Sequence, residues 1–176
     1  DCERLNIRVC AENMWQWDDK REIIVDSICA QPEEFCALLD AIDSPWIVGC
    51  LDIGHSALVG VEPADFIRAL GSKRLQALHV HDVDYRKDCH TMPFIERIDW
   101  ENTMKALAEI GYEGDLTLEA DNYLRQEWNR NVDRALLTGA SEAEVMAAKQ
   151  LQTAACRMMA QTAGYLRSRF EAYSAQ

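Results

Sequence analysis

Hydrophobic and polar positions alternate in blocks along the first 120 residues of the chain. Four short runs are almost continuously apolar, and each of them ends at an acidic residue or a histidine. Such runs are typical of parallel strands that are covered on both faces. The pattern predicts strands over residues 5–12, 46–52, 75–82 and 115–119.

The segments between these runs have the periodicity of helices. Residues 32–42 begin with a proline and repeat apolar positions at intervals of three and four, as expected for a helix with one buried face. Residues 62–71 and 99–111 show similar periodicity, and each segment closes on a glycine suited to a helix C-cap. The chain therefore alternates strand and helix, which predicts a parallel sheet, either open or closed into a barrel.

After Glu119 the pattern becomes helical only. Helices are predicted over residues 122–137 and 141–173, the second opened by a capping box at Ser141. No repeat or linker separates a second unit. We therefore expect one domain over residues 1–176, in which about 122–173 form a C-terminal helical extension.

Composition narrows the class of protein. The chain has 48% hydrophobic and 27% charged residues, a globular balance, and no apolar run approaches the roughly 20 residues of a membrane span. The formal charge is −12, which disfavours binding to phosphate backbones. No secretory signal pattern opens the sequence, and the seven cysteines include no CxxC pair. We expect a cytoplasmic protein with neither a membrane nor a nucleic acid as partner.

Polar residues stand where the predicted strands end. Glu12, Asp52, the pair His79 and His81, and Glu119 follow this rule, and the carboxyl ends of parallel strands meet at one edge of a sheet. Strands also end in ordinary polar loops, but four consecutive strands with this ending weaken that reading. Carboxylates gathered with an imidazole need a positive charge nearby, and this set of ligands suits Mn²⁺, Mg²⁺, Co²⁺ or Zn²⁺.

Three of the four histidines lie within one stretch, LHVHDVDYRKDCH, at residues 78–90. His79 and His81 share one face of the predicted strand because side chains alternate with period two. A buried core histidine is the competing interpretation for His79. The fourth histidine, His55, stands three residues after Asp52 across a glycine, which allows a sharp turn toward the same site.

The chain resembles the xylose-isomerase-like TIM barrels, a family of sugar (phosphate) isomerases and epimerases that also includes endonuclease IV. The matching motifs are AENM, CLDIGH, LHVHDVDYRKDCHTMPF and IDW…ALAEIGYEGDLTLEA, over about residues 5–125. The resemblance implies an α/β fold: the C-terminal half of a TIM (β/α)8 barrel, about four parallel strands with C-terminal helices. On the order of 100 residues of a barrel of roughly 250 are then missing. A longer chain or a partner, such as a second copy in a homo-oligomer, is expected to supply them.

The resemblance also implies a ligand set. In such families one divalent metal ion is bound by residues that correspond to Glu12, Asp52, His79 and Glu119. His79 is preferred to His81 because the family's HxxD pattern places the ligand at its first position.

Further roles follow from the same resemblance. Glu12 and Glu119 are expected to be catalytic, exchanging protons with the substrate. His55, Arg86 and His90 are expected to bind it. The implied activity is a metal-dependent sugar or sugar phosphate isomerase or epimerase that transfers a proton through a metal-bound enediolate.

Two alternatives stay open. One is a multi-zinc phosphodiesterase like endonuclease IV, since Asp88 and His90 match the DxH of that branch's second metal site. The other is a non-catalytic barrel fragment that retains the motifs.

Overall fold

The computed structural model describes residues 1–124 and 139–176, and a four-stranded parallel sheet lies at its centre. In chain order the elements are α1 (Cys2–Leu5), β1 (Val9–Glu12), β2 (Trp15–Asp18), β3 (Ile23–Asp26), α2 (Pro32–Ile42), β4 (Ile47–Asp52), α3 (Ile53–Leu58), α4 (Pro63–Arg74), β5 (Leu75–Val80), α5 (Trp100–Ile110), β6 (Thr117–Leu118), α6 (Asp121–Leu124) and α7 (Glu142–Ser174). The sheet has the order β1-β4-β5-β6, and all of its neighbours are parallel.

The strand register brings the carboxyl ends of the four strands to one edge. Glu12 lies opposite Cys50, Asp52 opposite His79, and His79 opposite Thr117. Each parallel step needs a crossover, and helices supply these crossovers. The result is the strand–helix repeat of a TIM barrel with four strands, half the number of a closed (β/α)8 barrel.

The helices bury a continuous apolar core against the sheet. Phe35 of α2 and Phe66 of α4 meet edge to face with ring centroids 6.3 Å apart, and both are fully buried. Met104 and Leu107 of α5 are also fully buried. Helix α7 packs on α5, and the Arg169 guanidinium donates to the Glu101 carboxylate at 2.9 Å across that contact. The apolar core thus holds the helices against the sheet.

Most of the predicted helices form with their expected ends. Helix α2 begins at Pro32, and α5 lies between an Asp99 N-cap, whose side chain accepts from the Asn102 N–H, and Gly111 in the left-handed region. Helix α4 continues to Arg74, three residues beyond the expected C-cap, although Gly71 (φ 65°) breaks the regular helical geometry at the predicted position. One more turn of chain then leads directly into β5.

The outer strands are shorter than predicted. The run 5–12 forms a strand only over Val9–Glu12, because Asn6 adopts a left-handed conformation (φ 52°) and caps α1. The run 115–119 forms a strand only at Thr117–Leu118, where His79 and Val80 lie opposite. The antiparallel hairpin of β2 and β3 was not predicted, since no turn motif of the Asn-Gly type marks it.

The helical extension is described in two parts. Of the predicted helix 122–137, residues 125–137 lie outside the described residues, and the preceding part is helical as α6. The predicted helix 141–173 is confirmed as α7, with its capping box formed between Ser141 and Glu144. Within the described part of the chain, no helix is both long enough and apolar enough to span a bilayer.

Candidate metal centre

Four side chains converge at the carboxyl edge of the sheet, one from the end of each parallel strand. Glu12, Asp52, His79 and Glu119 are called the first cluster here, and one ligand atom from each lies within 4.8 Å of all the others. Nδ1 of His79 is 3.0 Å from Oε1 of Glu12, 3.0 Å from Oε2 of Glu119 and 3.8 Å from Oδ2 of Asp52. The sequence-predicted metal ligands are therefore brought together, with the imidazole nitrogen among three carboxylates.

The three carboxylates of the first cluster favour the binding of a cation. Contacts of the His79 ring, first with Cys50 and then with Glu12, raise the pKa of His79 to about 11. Without a metal, a proton on His79 thus partly balances three acidic groups. The same oxygen-rich set with one nitrogen matches the ligands of a divalent cation such as Mn²⁺ or Zn²⁺, so the residues present fit such an ion.

Asp52 is the most constrained member of the first cluster. It is completely buried and caps α3, with Oδ1 accepting the His55 backbone N–H at 2.7 Å. His81 Nε2 lies 2.9 Å from Oδ1 and 3.1 Å from Oδ2. Burial alone would raise the pKa of Asp52, but the hydrogen bond and charge of His81, together with His55, bring it below its ordinary value. Asp52 is therefore ionised and oriented.

Asn13 links the carboxyl end of β1 to the carboxyl end of β4. Its buried side chain donates from Nδ2 to the Asp52 carbonyl at 3.1 Å and accepts the Asp52 N–H on Oδ1 at 2.7 Å. Its own carbonyl lies 3.0 Å from Nδ1 of His55. Asn13 therefore positions both a predicted ligand and a predicted substrate contact. Its place directly after Glu12 in AENM is the only sequence signal for this role.

A second cluster lies beside the first and contains His55, His81, Asp88 and His90. Asp88 is central: its Oδ2 is 3.5 Å from Nε2 of His55, and its Oδ1 is 3.1 Å from Nε2 of His90. The rings of His81 and His90 stack 4.2 Å apart at 11°. Burial lowers the pKa of His55, but Asp88 and Asp52 outweigh it and raise that pKa to about 9. All four histidines of the chain thus serve these two clusters.

The predicted substrate-binding residues have different surroundings. His55 lies between the clusters, and its Nδ1 is 3.7 Å from Oε1 of Glu12. Nδ1 of His90 is 3.0 Å from the backbone carbonyl oxygen of Glu119. Arg86 is exposed in a turn where its backbone N–H donates to Asp84. Among the described residues, its guanidinium has no hydrogen bond or ion pair to either cluster. The roles of these three residues in substrate binding stay predictions.

Sequence reasoning gave no role to Asp82, the acidic residue that ends HVHD. It is completely buried and accepts five hydrogen bonds, which come from the backbone N–H groups of Val83, Glu96, Arg97 and Ile98 and from the Trp100 indole. These bonds fix both ends of the loop that carries Asp88 and His90. Asp82 is thus a structural anchor of the second cluster.

Comparison of the sequence with known proteins places it in a family. The family model described as xylose isomerase-like TIM barrel matches residues 1–140. The uncharacterized protein y4fM of Sinorhizobium fredii is 33% identical over 95 residues, which are 53% of this chain and 30% of that protein. The uncharacterized protein MJ1311 of Methanocaldococcus jannaschii is 31% identical over 93 residues, 52% of this chain and 31% of that protein. The matched region is therefore about a third of each relative.

Solved structures show the same fold. A D-tagatose 3-epimerase-like protein superposes with a TM-score of 0.59 at 20% identity, covering 91% of this chain and 51% of that one. An L-ribulose 3-epimerase gives 0.57 at 15% identity, covering 99% and 53%. The chain spans about half the length of these neighbours, as four parallel strands of an eight-stranded barrel should. The fold, the two clusters and the family match agree, and the chain belongs to the xylose isomerase-like TIM barrel family.

Proposed function

We propose that the protein is a metal-dependent sugar or sugar phosphate isomerase or epimerase. The observation that carries this proposal is the first cluster, in which Glu12 and Glu119 approach Nδ1 of His79 from the two outer strands of the sheet. Two acid–base groups on opposite sides of one site are what proton transfer between two faces of a carbon needs. The epimerases among the structural neighbours support the same reaction class.

The metal would be held by the four residues of the first cluster, with His79 binding through Nδ1. A bound divalent cation supplies polarisation of the substrate carbonyl and stabilises negative charge on its oxygen. Asp52 is buried and held by His55 and His81, so its part is to bind the cation. Because Nδ1 must be unprotonated to bind a metal, His79 loses its proton on binding.

The two glutamates remain accessible to a substrate. The side chain of Glu12 is 30% exposed and that of Glu119 is 40% exposed, whereas Asp52 is fully buried. One glutamate accepts the proton from the carbon beside the carbonyl and becomes a carboxylic acid. The other, protonated beforehand, returns a proton to that carbon in an epimerase. In an isomerase the proton goes to the neighbouring carbon, and the hydroxyl proton passes to the former carbonyl oxygen as the carbonyl changes place. The stereochemical result depends on which face receives it.

Solvent deuterium incorporation tests the proposal. The full-length natural protein with added Mn²⁺ or Co²⁺ is incubated in D₂O with a panel of ketoses and their phosphates, and exchange at the carbon beside the carbonyl is followed. Glu119→Gln should lower the exchange rate by about 10²–10⁴-fold, because it removes the base and keeps the shape. Substrate binding should change far less. The exposed Glu113→Gln, in the turn before β6, is the matched control.

One result contradicts the proposal outright. If no sugar of the panel exchanges its proton in the metal-loaded natural protein, the isomerase or epimerase assignment is wrong. If Glu119→Gln exchanges as fast as the unaltered protein, Glu119 is not a catalytic residue.

A second candidate function is a multi-metal phosphodiesterase like endonuclease IV. The observation that favours it is the second cluster, where Asp88 lies between His55 and His90 beside the first cluster. The formal charge of −12 opposes binding to DNA. Cleavage of a duplex with a single abasic site, assayed with Zn²⁺ present, separates the two candidates. Cleavage without sugar proton exchange favours the phosphodiesterase.

We also propose that further barrel strands complete the site, supplied by a longer natural chain or by a partner such as a second copy. The outer strands β1 and β6 each have a neighbour on one side only among the described residues. Val9 and Cys10 of β1 are exposed. Unpaired strand edges of this kind drive association. Intact mass of the natural gene product, combined with light scattering, identifies which source applies.

A further inference from the structure

We propose that His81 is a positioning residue for Asp52 and is not a ligand of the metal in the first cluster. The inference rests on the proposed metal site and adds a residue to it. His81 differs from the other three histidines because it is completely buried and forms its shortest polar contacts with the first cluster, although it lies in the second.

The hydrogen bond of His81 defines which nitrogen carries its proton. Nε2 lies 2.9 Å and 3.1 Å from the two oxygens of Asp52, and an ionised carboxylate only accepts hydrogen bonds. Nε2, the nitrogen that faces the first cluster, therefore carries the proton and has no lone pair for a metal there. Nδ1 is buried and has no hydrogen-bond partner among the described residues. The ring thus makes one polar interaction, and that interaction is with Asp52.

The position of the ring is fixed from both sides. On one side it stacks on His90 at 4.2 Å. On the other side it lies against Gly54, where an added Cβ would be 2.1 Å from Cε1 of His81. Gly54 has no positive φ, so glycine is needed here for space and not for backbone conformation. The ring is thus held between His90 and Gly54.

The two carboxylate oxygens of Asp52 have different contacts. Oδ1 accepts the His55 N–H at 2.7 Å and is the oxygen nearer to Nε2 of His81, at 2.9 Å. Oδ2 lies 3.1 Å from the same Nε2, accepts no backbone N–H, and faces His79, with Nδ1 at 3.8 Å, so it is the oxygen with more capacity left for a cation. Residues that orient a metal ligand in this way affect metal affinity about 10–100-fold when they are replaced.

The same contacts separate His81 from the ligands of the second cluster. His55 and His90 point Nε2 at Asp88 at 3.5 Å and 3.1 Å, whereas Nε2 of His81 is 4.0 Å away and already bound. A metal in the second cluster would therefore find its nitrogen ligands in His55 and His90.

Metal titration tests this assignment. Binding of Mn²⁺ to the first cluster is measured by electron paramagnetic resonance in the full-length natural protein, in an Asp88→Ala background that disables the second cluster. His81→Leu should weaken binding about 10–100-fold. His81→Gln, whose amide N–H can reach Asp52, should restore most of the affinity. Gly54→Ala retains every ligand but displaces the ring, so it should weaken binding as His81→Leu does.

The outcomes are distinct. If His81→Leu binds the first Mn²⁺ as tightly as its parent, or if His81→Gln is no better than His81→Leu, the positioning role is wrong. If His81→Leu with Asp88 intact loses only a second equivalent of metal, His81 is instead a ligand of the second cluster. Because no sugar is used, absence of epimerase activity counts against the proposed function and leaves this assignment unaffected.

Discussion

Asn13 and Asp52 exchange two hydrogen bonds that tie the end of β1 to the start of α3. The Asp52 N–H donates to Oδ1 of Asn13 at 2.7 Å, and Nδ2 of Asn13 donates to the Asp52 carbonyl at 3.1 Å. The asparagine amide thus continues the ladder between β1 and β4 beyond the point where the strands end. Both residues are completely buried, so neither backbone group has water as an alternative partner.

The first prediction concerns this pair. Asn13→Ala leaves the N–H of Asp52 buried without a partner and removes one of the bonds to its C=O, which still accepts the first intrahelical bond of α3. The free energy of unfolding should therefore fall by about 1–3 kcal/mol. Urea denaturation monitored by circular dichroism measures it. The exposed Asn122→Ala, which loses one hydrogen bond to the Cys89 carbonyl, is the matched control and should change stability far less. Equal losses in the two variants would contradict the ladder role.

Asp82 is the subject of the second prediction. Asp82→Ala removes the acceptor of four backbone N–H groups and the Trp100 indole, so several buried donors lose their partner together. We expect a loss of more than about 3 kcal/mol, larger than for a single unsatisfied group. Thermal unfolding of the metal-free protein measures it. Asp84→Ala, which removes two exposed turn bonds and a 3.9 Å contact with the Cys89 thiol, should have a small effect. Similar melting temperatures for both variants would show that the loop does not depend on Asp82.

Asn13 and Asp82 also show which parts of the structure could be predicted from the sequence and which could not. The runs 46–52 and 75–82 are largely apolar, so strands β4 and β5 are predictable from the pattern, although β5 ends at Val80, two residues before the predicted end. Asn13 and Asp82 act through partners far along the chain, and an isolated asparagine or aspartate is equally typical of an ordinary turn. Periodicity contains no information about such pairs.

The two histidines of HVHD show a second limit of prediction from the sequence. Alternation with period two predicts His79 and His81 on one face of the strand, and the two residues are equivalent in that argument. In the structure β5 ends at Val80, so His81 leaves the strand and turns its ring between Gly54 and His90. Which histidine joins which cluster is decided by this tertiary packing. The family resemblance, and not the pattern, favoured His79 for the first cluster.

The third prediction is the pH dependence of stability in the metal-free protein. The folded pKa of His55 is raised from 6.5 to about 9, so its stabilising charge is fully present below pH 6.5 and is lost as pH rises through about 9. His79, raised to about 11, follows the same rule, so its contribution also declines above pH 6.5 and is fully lost only as pH rises through about 11. The pKa values of Asp52 and Asp88 are lowered, so their contribution is present above about 3.8 and is lost at lower pH. Stability should therefore be greatest between these limits.

Urea denaturation in EDTA from about pH 5 to about pH 10 checks the sign, and the His55 contribution should decline by up to about 3 kcal/mol. His55→Gln should make the decline between pH 6.5 and about 9 shallower, since one of the two titrating histidines is gone. His79→Gln should remove the decline that continues above about pH 9, which His55 does not produce. An unchanged slope between pH 6.5 and about 9 in His55→Gln would assign that decline to other groups.

The last prediction is the metal content of the purified protein. We expect about one divalent ion per chain in the first cluster, since its three carboxylates and the His79 imidazole lie within 4.8 Å of one another. Elemental analysis of freshly purified, undialysed natural protein measures it. Asp52→Ala should lose that ion, because the buried carboxylate is held with Oδ2 toward His79. Asp84→Ala, outside both clusters, should retain it.

The second cluster makes the number of ions informative in itself. Two ions in the natural protein, falling to one in Asp88→Ala, would mean that Asp88 holds a second metal between His55 and His90. That result would favour the phosphodiesterase, which needs several metals, over the epimerase, which needs one. One ion, unaffected by Asp88→Ala, leaves His55 and His90 free to contact a sugar. Equal metal in Asp52→Ala and the natural protein would mean that the first cluster is not where the ion binds.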